Sequence, residues 1–164
     1  MCFWLLCGAK SYCYLRGAIG GVIKIMIANE VPPVLKIITV DDSVIVSRRV
    51  EAMLKDIIHV HFLGNAINSK TALQLISFHL PDVVILDIYL QDNMPNVNGI
   101  NLLVILRKKY PKMKIIMLTN LVEPQYRNTC IASGANYFFD KSIDFDKIPL
   151  ALNDIVQSES STFF

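Results

Sequence analysis

From residue 35 onwards, the chain alternates between short apolar runs and longer stretches with helical periodicity. Apolar runs of a few residues bounded by polar residues are typical of buried parallel strands. Their first residues lie roughly 23–31 positions apart, a spacing that fits successive strand–helix–strand units. We predict five strands, at residues 35–40, 59–63, 83–86, 114–118 and 137–139.

The stretches between the runs predict helices. In the first of them Val46, Val50 and Leu54 recur at helical spacing, which places them on one face, and Ser43 can cap the helix start. Prolines end two of these stretches, at Pro81 and Pro111. The helices are expected at 44–57, 69–79, from about 102 to 110, at 124–134 and at 144–156. The order predicts an α/β fold with a doubly wound five-stranded parallel sheet.

Composition and charge narrow the class of protein. Of the 164 residues, 53% are hydrophobic and 18% charged, values typical of a globular domain. The chain has 16 basic and 14 acidic residues; three and one of these lie within residues 1–30, so 13 of each remain and residues 31–164 are neutral. That balance gives no electrostatic footprint for nucleic acid. The body of the chain has one cysteine, Cys130, which suits a reducing cytoplasm.

Residues 1–33 differ from the rest and are treated as a separate apolar extension, ahead of a domain at 34–156 and a tail at 157–164. Three interpretations stay open: an untranslated upstream extension with the functional start at Met26, a peripheral packing segment, or a weak membrane anchor. No uninterrupted apolar stretch reaches the ~18 residues of a spanning helix, so we do not expect a membrane contact. Residues 31–33 include two prolines that predict a stiff boundary.

Five polar side chains follow the predicted strands at the points where the strands end. They are Asp41, Asp42, Asp87, Thr119 and Lys141. Ligands bind outside the carboxyl ends of the strands of an open parallel sheet, so we expect these side chains to converge. Carboxylates packed together repel one another unless a cation lies among them, and Mg²⁺ prefers oxygen ligands. The pattern therefore predicts a site for a divalent cation and a phosphoryl group.

Six short motifs make the chain resemble a known family. They are Val40-Asp41-Asp42-Ser43, Leu86-Asp87-Ile88, Pro95-Asn96-Val97-Asn98-Gly99, Leu118-Thr119, Gly134-Ala135-Asn136 and Asp140-Lys141. Any one of them is weak evidence, whereas all of them in order on correctly spaced strands are specific. Residues 34–156 resemble the receiver domain of two-component response regulators, which implies the flavodoxin-like receiver fold.

The resemblance also implies roles at the metal site. Asp87 matches the aspartate that a histidine kinase or a histidine phosphotransfer protein phosphorylates. Asp41 and Asp42 match the acidic pair that holds Mg²⁺, Asp42 directly and Asp41 through water. Tyr89 matches the residue whose backbone carbonyl completes the ligand set.

Further implied roles concern the phosphoryl group and the readout. Thr119 is expected to donate its hydroxyl to a phosphoryl oxygen, and Lys141 to supply positive charge. Phe138, three residues before the lysine, matches the aromatic switch position and is expected to turn inward on phosphorylation. Tyr126 and Arg127 are interpreted as a solvated helix face.

Three departures from the family pattern accompany the resemblance. Ser142 follows Lys141 where the family usually has proline with a cis bond, and a non-prolyl cis bond is far costlier. Asn120 is larger than the usual small residue and is expected to crowd the phosphoryl pocket. About four residues are inserted around 91–94, in the loop beside the site.

The leading interpretation is a stand-alone receiver that changes its affinity for a downstream protein, not a turnover enzyme. The alternative is a pseudo-receiver, an interaction module that works without phosphorylation. The five site residues argue against that alternative, and the three departures argue mildly for it. A flavodoxin-like enzyme or nucleotide binder is disfavoured because no glycine-rich phosphate loop follows the first strand.

Overall fold

The computed structural model describes residues 34–90 and 98–160, together with three strands nearer the start of the chain. These strands are β1 (Phe3–Cys7), β2 (Lys10–Arg16) and β3 (Val22–Met26), and they form an antiparallel sheet in the order β1-β2-β3. The chain divides into two compact units at Pro32 and Pro33. None of the helices in the parts that the structure describes is long and apolar enough to cross a membrane.

The second unit contains the predicted parallel sheet. Its strands are β4 (Leu35–Val40), β5 (Val60–Ala66), β6 (Val83–Leu86), β7 (Lys114–Thr119) and β8 (Tyr137–Asp140). They pair in the order β5-β4-β6-β7-β8, and every pairing is parallel. The chain thus moves first to one side of β4 and then to the other, which confirms the doubly wound, flavodoxin-like receiver fold.

Helices connect the strands and cover both faces of the sheet. They are α1 (Val44–Leu54), α2 (Ser69–His79), α3 (Gly99–Lys109), α4 (Pro124–Ala132) and α5 (Lys147–Ser160). Successive residues of a strand point to opposite faces: Ile38 and Val40 pack with residues of α2, α3 and α4, whereas Ile37 packs with residues of α1 and α5. Two apolar cores therefore hold the sheet rigidly between layers of helices.

Several elements differ in extent from the prediction. Helix α1 ends at Leu54 rather than 57, α3 begins at Gly99 rather than about 102, and α4 ends at Ala132 rather than 134. Strand β5 continues to Ala66, beyond the predicted end at 63, because a bulge lets Gly64 pair with Ile38 after Phe62 has paired with Ile37. Helix α5 begins at Lys147 rather than 144. That start places Pro149 in the first turn, where its missing N–H costs no helical hydrogen bond.

Some sequence-based expectations fall on residues that the structure does not describe. They are the insertion around 91–94, the Pro95-Asn96-Val97 part of one family motif, the proline boundary at 31–33 and the last part of the tail, 161–164. The first part of the predicted tail, 157–160, belongs to α5. The three hypotheses for residues 1–33 stay predictions.

Candidate functional site

The sheet itself positions two of the predicted carboxylates side by side. The backbone N–H of Asp41 donates to Ala66 O at 2.9 Å, and that of Asp87 donates to Val40 O at 3.0 Å. The ladder hydrogen bonds therefore continue one residue past the ends of β4 and β6. Both carboxylates lie at the carboxyl edge of the two central strands and are nearly buried, with 4% and 6% exposure.

Lys141 joins these two carboxylates from the end of β8. Its Nζ lies 2.7 Å from Asp41 Oδ2 and 2.5 Å from Asp87 Oδ2. Its side chain is only 8% exposed, and its backbone N–H donates to Thr119 O at 3.0 Å. One ammonium thus bridges two buried carboxylates that are far apart in the sequence.

Backbone donors hold the other oxygen of each carboxylate. The Ser43 N–H donates to Asp41 Oδ1 at 2.8 Å, and the Tyr89 N–H donates to Asp87 Oδ1 at 3.3 Å. Each carboxyl group is therefore fixed in orientation by a turn on one side and by the lysine on the other. The Tyr89 side chain is 67% exposed, so it is the backbone of this residue that lies at the site.

Burial and charge act against each other in this cluster. Burial raises the pKa of the Asp41 carboxyl above its ordinary value, and the hydrogen bond from Lys141 opposes the rise without cancelling it. Burial pulls the pKa of the Lys141 ammonium down, but the hydrogen bonds that it donates to Asp41 and Asp87 outweigh this effect, so the pKa lies above its ordinary value. The lysine therefore stays charged at neutral pH and neutralises part of the acidic cluster.

Asp42 completes a group of three carboxylates. It is half-buried, and one carboxylate oxygen each from Asp41, Asp42 and Asp87 lies within 4.8 Å of the others. Hard carboxylate oxygens at this spacing fit a hard divalent cation such as Mg²⁺, which uses one or two carboxylates and keeps several waters. The donor set therefore fits the predicted cation.

Thr119 and Phe138 lie in the interior next to this cluster along the sheet. Thr119 ends β7, is fully buried, and accepts the Leu121 N–H on Oγ1 at 3.2 Å. Phe138 is 4% exposed and packs in the core beside Cys130 and Ala135. The ring therefore already occupies the inward position that the sequence assigned to the phosphorylated state.

Arg127 is a site-related residue that sequence reasoning placed on a solvated face. Its Nη1 donates to the carbonyl of Phe138 at 3.1 Å, and its guanidinium carbon lies 5.3 Å from the centre of the Phe138 ring. It therefore ties α4 to the switch position on β8. The spacing of residues along α4 could not predict this contact. The sequence pattern of an exposed arginine on a helix is the same whether or not its side chain reaches the next strand.

Gly99 and Asn98 shape the other side of the site. Asn98 Oδ1 accepts the Asn101 N–H and caps α3. Gly99 packs against the backbone of Asp87 so closely that a Cβ at this position would lie 1.8 Å from Asp87 O. Glycine is therefore required here by the close approach of α3 to the strand end.

Two of the three departures from the family pattern, Ser142 and Asn120, lie in the part of the chain that the structure describes. The described residues contain no cis peptide bond, so Lys141 and Ser142 are joined in trans. Asp140 Oδ1 accepts the Ser142 N–H at 2.7 Å and fixes the turn. Asn120 is exposed.

Comparison with known proteins agrees with this geometry. A model of the response regulator receiver domain family matches residues 37–153. The transcriptional regulatory protein MctR of Rhizobium johnstonii is 26% identical, over 75% of this chain and 56% of the relative. A protein-glutamate methylesterase/protein-glutamine glutaminase of Carboxydothermus hydrogenoformans is 32% identical, over 74% of this chain and 35% of the relative. The chain thus spans about half or less of the length of these relatives.

Solved structures give the same result. The receiver domain of NtrX from Brucella abortus superimposes with a TM-score of 0.66 at 27% identity, over 74% of this chain and 98% of that chain. The response regulator domain of Thermotoga maritima CheB does so with a TM-score of 0.63 at 25% identity, over 76% and 95%. With the family model covering most of the chain, and with the carboxylates and lysine gathered at the strand ends, this protein belongs to the response regulator receiver domain family of two-component systems.

Proposed function

We propose that the chain is a phosphoacceptor. Asp87 takes a phosphoryl group from a histidine kinase or a histidine phosphotransfer protein, and the domain then changes its affinity for a protein partner. The observation that supports this most is the Lys141 ammonium held between the buried carboxylates of Asp41 and Asp87. A cation buried beside a carboxylate at a sheet edge is suited to an incoming dianionic group.

The transfer uses few groups. An Asp87 carboxylate oxygen attacks the phosphorus of a phosphohistidine, the P–O bond of an acyl phosphate forms, and the P–N bond breaks with its electron pair leaving on the imidazole, which takes up a proton. Positioning and charge neutralisation supply most of the catalysis in such steps. The Lys141 ammonium neutralises the negative charge of the transferred phosphoryl group. The Thr119 hydroxyl donates to a phosphoryl oxygen. Turnover of an external substrate forms no part of this role.

Mg²⁺ would be held by Asp42 directly, by Asp41 through water, by Asp87 and by the Tyr89 carbonyl. When bound, it neutralises the acidic cluster and orients the phosphoryl oxygens. The three carboxylates at one edge of the sheet support this assignment. The protein's own part is to keep these oxygens together although their like charges repel.

Asp42→Ala is expected to weaken Mg²⁺ binding at least about tenfold. Even mutation of a residue that only hydrogen-bonds to a metal ligand lowers metal affinity about 10–100-fold. In metal-free buffer the variant should be as stable as the parent or more so, since the substitution relieves like-charge repulsion. Isothermal titration calorimetry measures the affinity, with the exposed Asp56→Ala as a matched control. Unchanged Mg²⁺ affinity in Asp42→Ala would remove this residue from the ligand set.

Arg127→Met tests the readout through Phe138. The arginine–ring contact is worth about 0.5–1 kcal/mol, so loss of the inward ring position should slow phosphorylation by acetyl phosphate roughly two- to fivefold. Amide shifts on phosphorylation should concentrate in residues 119–148 in the parent and shrink in the variant. The exposed Arg48→Met serves as the control, and an unchanged rate and shift pattern in Arg127→Met would disconnect Phe138 from the response.

The experiment that tests the proposed function is incubation with acetyl phosphate and Mg²⁺, followed by intact-mass spectrometry. The parent protein should gain one phosphoryl group, and Asp87→Asn should gain none, whereas Asp56→Asn should behave as the parent does. Equal labelling of Asp87→Asn would contradict the role of Asp87. No labelling of any variant, with the fold intact, would favour the pseudo-receiver.

A further inference from the structure

A cleft lies at the end of the domain opposite the carboxylate cluster. We call it the basal cleft; its lining residues are Leu80, Pro81, Asp82, Lys109, Tyr110, Pro111, Lys112 and Met113. Its volume is about 470 Å³, within the roughly 300–1,000 Å³ of ligand-binding clefts. Asp82 and Asp87 flank β6 at its two ends, so the basal cleft and the phosphorylation site are separated by the full length of a strand.

The walls of the basal cleft are held by hydrogen bonds. Arg107 Nη1 donates to Pro111 O and to Met113 O, both at 2.8 Å, and the Met113 N–H donates to Tyr110 O at 3.1 Å. On the other wall, Asp82 Oδ2 accepts the Lys36 N–H at 2.8 Å. The cleft is therefore formed before any ligand binds.

Leu80 has an unfavourable conformation at the mouth of this cleft. It ends α2 in the left-handed region with φ 48°, where glycine or asparagine is normally preferred. Its side chain is also 56% exposed, and Phe78 nearby along the chain is 81% exposed. Both the strained backbone and the exposed apolar side chain are unfavourable for the stability of the fold. Backbone strain of this kind concentrates at functional positions.

The rim of the basal cleft is basic. Lys109 and Lys112 are exposed, as is the neighbouring Lys108, and among the residues that the structure describes the ion pairs to carboxylates involve other lysines. The lining thus has two lysines and one carboxylate, that of Asp82, whose Oδ2 accepts the Lys36 N–H at 2.8 Å. The charge of the rim is therefore available for an anionic partner.

We propose that the basal cleft binds an acidic peptide segment of another protein, with one apolar side chain inserted between Leu80, Tyr110 and Met113. Acidic residues beside this anchor would pair with Lys109 and Lys112 on the rim. Complementary charge of this kind gives specificity and speeds association. A buried apolar anchor surrounded by a polar rim is the usual anatomy of such an interface.

Two other occupants fit less well. A second copy of the chain in a twofold-symmetric contact would bring the same lysines face to face, which is repulsive. A bilayer surface is bound by apolar groups that protrude into it, whereas Tyr110 and Met113 line a concavity. Because the cleft lies opposite Asp87, binding there should not depend on phosphorylation, so this proposal stands or falls separately from the proposed function.

The test begins with a random peptide library displayed on phage and selected against the full chain. Enriched peptides should carry Asp or Glu around a Leu, Phe or Trp, and their affinity is then measured by fluorescence anisotropy. Lys109→Glu combined with Lys112→Glu should weaken binding at least about tenfold. Arg48→Glu combined with Lys70→Glu makes the same change in net charge at exposed positions elsewhere and should keep the parent affinity.

Leu80→Asn separates a binding role from a structural one. It should weaken peptide binding and at the same time raise the urea midpoint, since asparagine tolerates the left-handed conformation and removes exposed apolar surface. Asp87→Asn should bind the peptides as the parent does. Enrichment of neutral or basic peptides, no enrichment, or equal binding by the doubly reversed lysine variant would overturn the proposal. So would lysine-dependent binding to phosphatidylserine vesicles without peptide binding, or a dimer that the reversal dissociates.

Discussion

Lys141→Met is expected to destabilise the fold by about 3–5 kcal/mol at neutral pH, because removing one partner of a buried ion pair leaves an uncompensated buried charge. Here the single ammonium serves two carboxylates, Asp41 and Asp87, and both are nearly buried. Urea denaturation measures the loss. The exposed Lys70→Met is the matched control and should stay within about 0.5 kcal/mol of the parent.

The pH dependence of this loss has a definite sign. Burial already raises the pKa of Asp41 in the folded parent, and without the lysine the carboxyl would bind its proton still more readily when folded than when unfolded. A group that binds protons more tightly in the folded state stabilises the fold as the pH falls. The deficit of Lys141→Met should therefore shrink between about pH 7 and about pH 5. A deficit that is small at neutral pH, or that grows in acid, would contradict the bridging role of Lys141.

Gly99→Ala is expected to slow phosphorylation of Asp87 about 10²-fold, the effect of misplacing a reacting group by about 1 Å. The added methyl group would overlap the Asp87 carbonyl oxygen, 1.8 Å away, so α3 and the strand end must separate. Overpacking of this kind also costs about 1–3 kcal/mol of stability. The rate of acyl phosphate formation from acetyl phosphate and the urea midpoint report the two effects.

Gly64→Ala is the control for this substitution. Gly64 has a φ of +144°, but an added Cβ would make only an ordinary van der Waals contact, with Leu75 Cδ2 at 3.9 Å. Its replacement should therefore lower stability through backbone strain and leave the phosphorylation rate nearly unchanged. If Gly99→Ala phosphorylates as fast as Gly64→Ala does, the close approach of α3 does not set the position of Asp87.

Some elements with a clear burial pattern could be predicted from the sequence to the residue. Strands β4 and β6 and helix α2 have the predicted bounds, because their apolar positions are fully buried or recur with one period. Strand β5 was predicted too short because it is an edge strand with half-buried residues and a bulge before Gly64. A run of apolar residues marks a buried strand but gives little information on an edge strand.

For the site, the sequence could predict which residues meet but not which contacts their long side chains make. The sequence predicted which polar residues meet at the carboxyl edge, because parallel strands end on the same side. It could not predict that Lys141 bridges Asp41 and Asp87, since this depends on how a long side chain reaches from the end of β8 past β7. The Arg127 contact with Phe138 and the conformation of Leu80 were also missed. Both depend on how one element meets the next, because Arg127 reaches from α4 to β8 and Leu80 ends α2.

The central claim is that Asp87 forms an acyl phosphate, and borohydride trapping tests it most directly. Borohydride reduces an acyl phosphate to an alcohol, so a phosphorylated aspartate becomes homoserine, which peptide mass spectrometry can locate. After treatment with acetyl phosphate and Mg²⁺, we expect homoserine at position 87 alone, and none when Mg²⁺ is chelated. Homoserine at another aspartate, or its absence from a folded and metal-loaded protein, would contradict the claim.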